Sequence, residues 1–163
     1  MKIRMTYENL LIEAENEGVN VKEIDCKTNK KYGRCIDNFI FINSNMTSVE
    51  KREILAEELA HYRKTHGNIL NQSIVSNKKQ EIIARRESYD ILLNPKDIIK
   101  AMEVSTNLYE MAQYLNITEK TLTDILDDYR KRFGIGIKVD NYYLVLEPTL
   151  GIIKDCGGLF KIV

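Results

Sequence analysis

The stretch Ile54-Leu55-Ala56-Glu57-Glu58-Leu59-Ala60-His61-Tyr62 constrains this chain more than any other, because a helical rhythm there carries a tight cluster of proton-transfer and metal-binding groups. A helix turns about 100° per residue, so Glu57 and His61 share one face to within about 40°, with Glu58 close beside them.

That layout is H-E-x-x-H with the first histidine replaced by Glu57. In the parent motif two histidines one turn apart hold Zn²⁺, and the glutamate after the first takes a proton from metal-bound water. A carboxylate oxygen can stand where an imidazole nitrogen stood, although it lowers the net charge of the site and weakens its Lewis acidity. Taken alone, the pattern reads more simply as two solvated helix glutamates and a half-buried histidine. The rest of the chain raises the metal reading.

A third ligand in such a site comes from a second helix crossing the first. The segment Lys78 to Leu93 is helical in character, with an apolar side expected from Ile82, Ile83, Arg86, Tyr89, Leu92 and Leu93. Glu81 near its start can swing back toward His61 across the polar, loop-like stretch Asn68 to Asn77. Glu87 competes for the role, but a further 240° or so around the helix turns it elsewhere. The plain alternative for Glu81 is a helix-start glutamate favoured by the macrodipole. His66 is a minor alternative ligand, about 140° from His61 on a continuous helix. Cys35 could offer a thiolate, but no spacing supports it.

Around these helices the pattern is α+β. Thr6 to Glu17 reads as an amphipathic helix with Leu10, Leu11 and Ala14 on one stripe, stopped at Gly18. Val19, Val21 and Ile24 suggest a short strand, Tyr32 to Ile36 a second, and Phe39 to Asn43 a third after an Asp37-Asn38 turn. The third strand is expected to align a substrate backbone by strand addition. Thr47-x-x-Glu50 is a capping box that starts the key helix at about Ser48 and sends it to about Thr65. Pro95 ends the Glu81 helix.

Farther on, Leu108 to Leu115 and Glu119 to Arg132 read as two helices about an Asn116-Ile117-Thr118 turn, a helix-turn-helix-like unit. Its second helix carries Glu119, Asp124, Asp127 and Asp128, the wrong sign for phosphate, so a structural or protein-contact role is expected over DNA binding. Ile135 to Leu146 suggests a hairpin around Asp140-Asn141, Leu150 to Ile153 a further strand, and Leu159 to Val163 a short apolar tail. The expected domains are 1–95, the metal-site domain; 96–134, the helical unit; and 135–163, the hairpin and tail.

Twenty-four basic residues balance 24 acidic ones in 163, so no global field draws the chain to nucleic acid or an anionic membrane. Any such binding must be local. The start lacks the apolar run of a signal peptide, and no stretch is long and apolar enough to span a membrane. Cys26, Cys35 and Cys156 are odd in number and lack a C-x-x-C, as expected of reduced thiols in a cytoplasm.

With these elements in order, the chain resembles the ImmA/IrrE family of metallo-endopeptidase-like proteins, and within it the compact branch of phages and integrated elements of Gram-positive bacteria. Leu55-Ala56-Glu57-Glu58-Leu59-Ala60-His61-Tyr62 is similar to that branch's L-A-E-E-L-G-H-Y, so the glutamate in place of histidine is a feature of the branch. Lys79-Gln80-Glu81-Ile82-Ile83-Ala84-Arg85-Arg86-Glu87-Ser88-Tyr89 is similar to its R-K-Q-E-L-x-A-R-R-x-A-Y, and Asn68 to Ser73 to its link. The likeness spans about residues 6 to 153.

The resemblance implies a zincin-like cytoplasmic peptidase or anti-repressor, acting on a phage-type repressor of the helix-turn-helix class. It implies Zn²⁺ as cofactor, Glu58 as general base, His61 and Glu81 as metal ligands, and Glu57 in the slot of the missing histidine. An inactive module that sequesters the repressor is the alternative, and DNA binding ranks last.

Overall fold

The computed structural model describes residues 5–67, 77–155 and 160–162, with the side chains of 65–67, 77, 78 and 160–162 excepted. The link Asn68 to Ser73, the side chain of His66, Cys156 and the residues Leu159 and Val163 lie outside what is described. Among the described residues there are six helices and two small sheets, the α+β arrangement expected. They fall into two compact units, Met1–Leu92 and Leu93–Val163.

The first unit opens with α1 (Tyr7–Asn16), started by a capping box between Thr6 and Asn9. Leu10 and Ala14 are fully buried and Tyr7 nearly so, while Gly18 turns the chain at φ +77, a conformation that only glycine adopts readily. Strands β1 (Asn20–Ile24), β2 (Gly33–Ile36) and β3 (Phe39–Asn43) form a sheet in the order β1-β3-β2. β1 runs parallel to β3, and β2 is antiparallel to it through the two-residue Asp37-Asn38 turn, with Asp37 at φ +52.

This order corrects one expectation. β3 is the central strand, hydrogen-bonded on both sides, so it has no free edge to offer another chain. β2 is an edge. Its burial alternates along the strand, whereas β3 is apolar from Phe39 to Ile42 and buries Ile40 and Ile42 fully on one face.

The loop between β1 and β2 is held by Asn43, fully buried at the end of β3. Its amide Nδ2 donates to the carbonyls of Thr28 (2.7 Å) and Lys30 (2.9 Å), and its Oδ1 accepts from the N–H of Asn45 (3.2 Å) and of Cys26 (3.4 Å). One side chain thus satisfies the backbone of a polar loop that has no ladder of its own.

Helix α2 (Ser48–Gly67) begins at the expected capping box: Thr47 Oγ1 accepts from the N–H of Glu50, and Glu50 Oε2 accepts from the N–H of Thr47. Helix α3 (Asn77–Leu92) packs on it. Here too the structure departs from expectation. Leu92 and Leu93 are buried as expected, but Ile82 and Ile83 are 42% and 44% exposed, and Ala84 and Ser88 are buried in their place. Ala56 and Ala60 are likewise buried on α2. Small side chains on both facing surfaces let two helix axes approach closely, which bulky isoleucines would prevent.

In the second unit, Pro95 does more than end α3. It is the first residue of α4 (Pro95–Val104), capped by Asn94, whose side chain accepts from the N–H groups of Lys96 and Asp97. Proline suits that position because its missing N–H would be unpaired there in any case. α5 (Leu108–Leu115) and α6 (Glu119–Phe133) follow, joined through Asn116 in the left-handed conformation and Thr118 as N-cap. The chain ends in an antiparallel sheet of β4 (Gly136–Val139), β5 (Tyr142–Val145), β6 (Gly151–Asp155) and β7 (Phe160–Ile162). The expected hairpin and extra strand are there, and Phe160–Ile162, read as a packed tail, is a fourth strand.

Candidate active site

Burial of Leu55, Ala56, Leu59 and Ala60 fixes the rotation of α2, and it leaves Glu58 and His61 half-buried and Glu57 exposed. On α3, burial of Ala84 and Ser88 places Glu81, one turn earlier, on the side nearest α2. The outcome is that His61 Nε2 and Glu81 Oε2 lie 3.9 Å apart. That is too long for a hydrogen bond. It is close to the separation of about 3.3 Å that two ligands adopt when each lies about 2.0–2.1 Å from one tetrahedral ion.

Glu57 does not join them. Among the described residues, no group of three or more His, Cys, Asp or Glu side chains is arranged to hold a metal ion. Of the three residues expected as ligands, two are brought together, and the third extends from the same helix face into solvent.

Glu58 sits where edge strand β2 crosses α2. The backbone N–H of Cys35 donates to its carboxylate. Burial pushes its pKa up and the Glu57 charge adds to this, against the opposing pull of His61, the Cys35 N–H and Arg34. The strand comes this close only because residue 33 is glycine: a Cβ there would lie 2.1 Å from Ile54 Cγ2 and 3.1 Å from Glu58 Cγ.

Of the alternative ligands, Glu87 and Cys35 are engaged with other groups. Glu87 pairs with Lys64 Nζ at 2.8 Å and Arg63 at 3.8 Å. Arg63 also binds Glu13 and Glu17 of α1, so it ties three helices together. Cys35 is held as a thiol, its pKa raised by burial and then by the charges of Glu58 and Asp37. Cys26 and Cys35 are both free of disulfides.

Two contributors were missed in the sequence. Arg85 donates to Glu81 Oε1 at 3.1 Å, leaving Oε2 toward His61; the i,i+4 spacing from Glu81 was the available signal. Gly33 carried no signal short of the packing itself.

A family model, the IrrE N-terminal-like domain of the M78 peptidases, matches residues 14–140. The chain belongs to this family. The match takes in α2, α3 and both candidate ligands, and it supports a function of the metallopeptidase type. No curated protein and no solved structure matches the chain.

The donor set suits such a family. An imidazole and a carboxylate converge from two helices, and both are ligands that divalent ions such as zinc accept. Glu57 is on the right helix face and exposed, so a change of rotamer is open to it. No candidate membrane span occurs among the helices described.

Proposed function

We propose that this chain is a zinc-dependent peptidase, or a metal-dependent anti-repressor, acting on a phage or mobile-element repressor of the helix-turn-helix class. The observation that carries the reading is the 3.9 Å approach of His61 to Glu81 across α2 and α3, with Glu58 alongside. His61 through Nε2 and Glu81 through a carboxylate oxygen would hold the ion, with Glu57 as the third protein ligand. When bound, Zn²⁺ supplies Lewis acidity to a peptide carbonyl and makes water a better nucleophile.

The chain's own residues do the rest. Glu58 accepts the proton of the attacking water on its carboxylate, and its raised pKa makes it a stronger base than an ordinary glutamate. It then returns that proton to the leaving amine. The Cys35 N–H donates to the Glu58 carboxylate and so ties it to β2. Among the described residues β2 has a neighbour on one side only, so its free edge is the place where a substrate backbone would add as a strand.

A second reading is a catalytically inactive module that sequesters the repressor, and the exposed position of Glu57 favours it. Binding of duplex DNA ranks behind both, since Arg130 and Arg132 at the basic end of α6 are paired with Asp127 and Asp128. In either leading reading the work is cytoplasmic, where repressors act.

Metal analysis of the purified protein, beside His61→Ala and Glu58→Gln, tests the proposal together with a repressor-cleavage assay. Metal retained in Glu58→Gln, lost in His61→Ala, and cleavage lost in both is the expected result. A parent protein that binds repressor stoichiometrically but takes up no zinc would sink it in favour of the binding module.

A further inference from the structure

The three-stranded sheet has two faces, and the candidate active site uses only one. A Cβ on Gly33 would point at α2, so Gly33, Cys35, Ile40 and Ile42 face the helix, and both isoleucines are fully buried. Side chains alternate along a strand. The intervening positions therefore point outward: Lys22 on β1, Phe39 and Phe41 on β3, Arg34 and Ile36 on β2.

The register places Phe41 between Lys22 on one side and Arg34 on the other. The two phenylalanine rings lie nearly parallel, 18° apart in plane and 6.2 Å between centroids. Phe39 is 39% exposed, and Lys22 and Arg34 are exposed as well. No outward-facing strand position carries a carboxylate. The face thus carries two aromatic rings in a row, bracketed by positive charge on both neighbouring strands.

A purely apolar partner would have to desolvate both cations without compensation. Duplex DNA would meet the charges but hides its base faces in the stack. A ligand with flat rings and a regular anionic backbone satisfies both features, and aromatic sheet platforms that stack successive bases are one established form of that chemistry. The zero net charge of the chain does not oppose this, because the charge involved is local.

We propose that this outer face binds single-stranded nucleic acid, with bases stacked on Phe39 and Phe41 and phosphates held at Lys22 and Arg34. The rings lie on the face turned away from α2, although Arg34 also acts electrostatically on Glu58, and binding there does not depend on peptidase activity. An acidic peptide would share the cations but lacks the flat rings, which makes it the informative competitor.

The test is fluorescence anisotropy of a labelled oligothymidylate of about twelve nucleotides with the full-length protein. Binding is expected to weaken steeply with salt. Phe41→Leu, which keeps apolar volume but removes the π face, should weaken it about tenfold, and Phe41→Tyr should leave it within about threefold. Lys22→Glu and Arg34→Glu, at exposed positions that do not threaten the fold, should each weaken it as well. The proposal is overturned if the oligonucleotide does not bind at low salt, if a duplex of the same length binds as well, if Phe41→Leu has no effect, or if poly-glutamate of equal charge displaces the oligonucleotide.

Discussion

Gly33 on edge strand β2 sits so close to Ile54 of α2 that a methyl group on residue 33 would lie 2.1 Å from Ile54 Cγ2. The glycine therefore sets the distance between the strand and the helix that carries Glu58. Gly33→Ala should force the two apart or push Ile54 off its rotamer, costing about 1–3 kcal/mol by urea unfolding. A midpoint equal to that of the parent would show that the strand yields without cost.

Arg85 holds one oxygen of Glu81 while the other faces His61. Groups that orient a ligating carboxylate typically contribute about 10-fold or more to metal affinity. Arg85→Ala is expected to weaken zinc binding by about tenfold in calorimetric titration. Unchanged affinity would reduce the pair to an ordinary surface contact.

Arg63 bridges Glu13 and Glu17 on α1 to Glu87 on α3. These side chains are only 25–34% exposed, so the cluster counts for more than a surface ion pair. Arg63→Ala should destabilise the protein by about 1–3 kcal/mol, and a double-mutant cycle with Glu17→Gln should return coupling of about 1 kcal/mol or more. Additive losses would mean that the two act independently.

Glu23 gives a pH signature. Burial opposes its ionisation, but hydrogen bonds from Lys51 (2.6 Å) and Tyr7 (2.8 Å), with the Lys51 charge, outweigh it and hold the carboxyl below its usual range. The folded form then binds this proton less tightly than the unfolded chain does. Its stabilisation is complete above the unfolded pKa and fades as pH falls through the folded one. Glu23→Gln should be less stable than the parent near neutrality, and the gap should close in acid. A gap independent of pH in denaturation curves would refute the assignment.

Much of this was legible in the chain itself. Thr47 and Glu50 announced the start of α2, since a capping box is satisfied within four residues and needs no tertiary partner. The Asp37-Asn38 and Asp140-Asn141 turns were readable for the same reason, each lying between two strands that pair across it. The buried face of α3 was not. Ile82 and Ile83 looked like core by hydrophobicity, yet the helix buries Ala84 and Ser88, because close approach of two helices selects small side chains over bulky ones. Asn94-x-x-Asp97 also carried a helix start that Pro95 concealed.

The sequence by itself determined the local elements and the one-turn spacing of Glu57 and His61, because both follow from contacts within a few residues along a helix. Only the tertiary structure decided that β3 is the inner strand, that Glu87 is claimed by Lys64, and that Glu81 is the carboxylate that meets His61. Those outcomes depend on how closely α2 approaches α3 and β2, distances set by side-chain volumes at Gly33, Ala60 and Ala84 that are far apart in the chain and have no local trace.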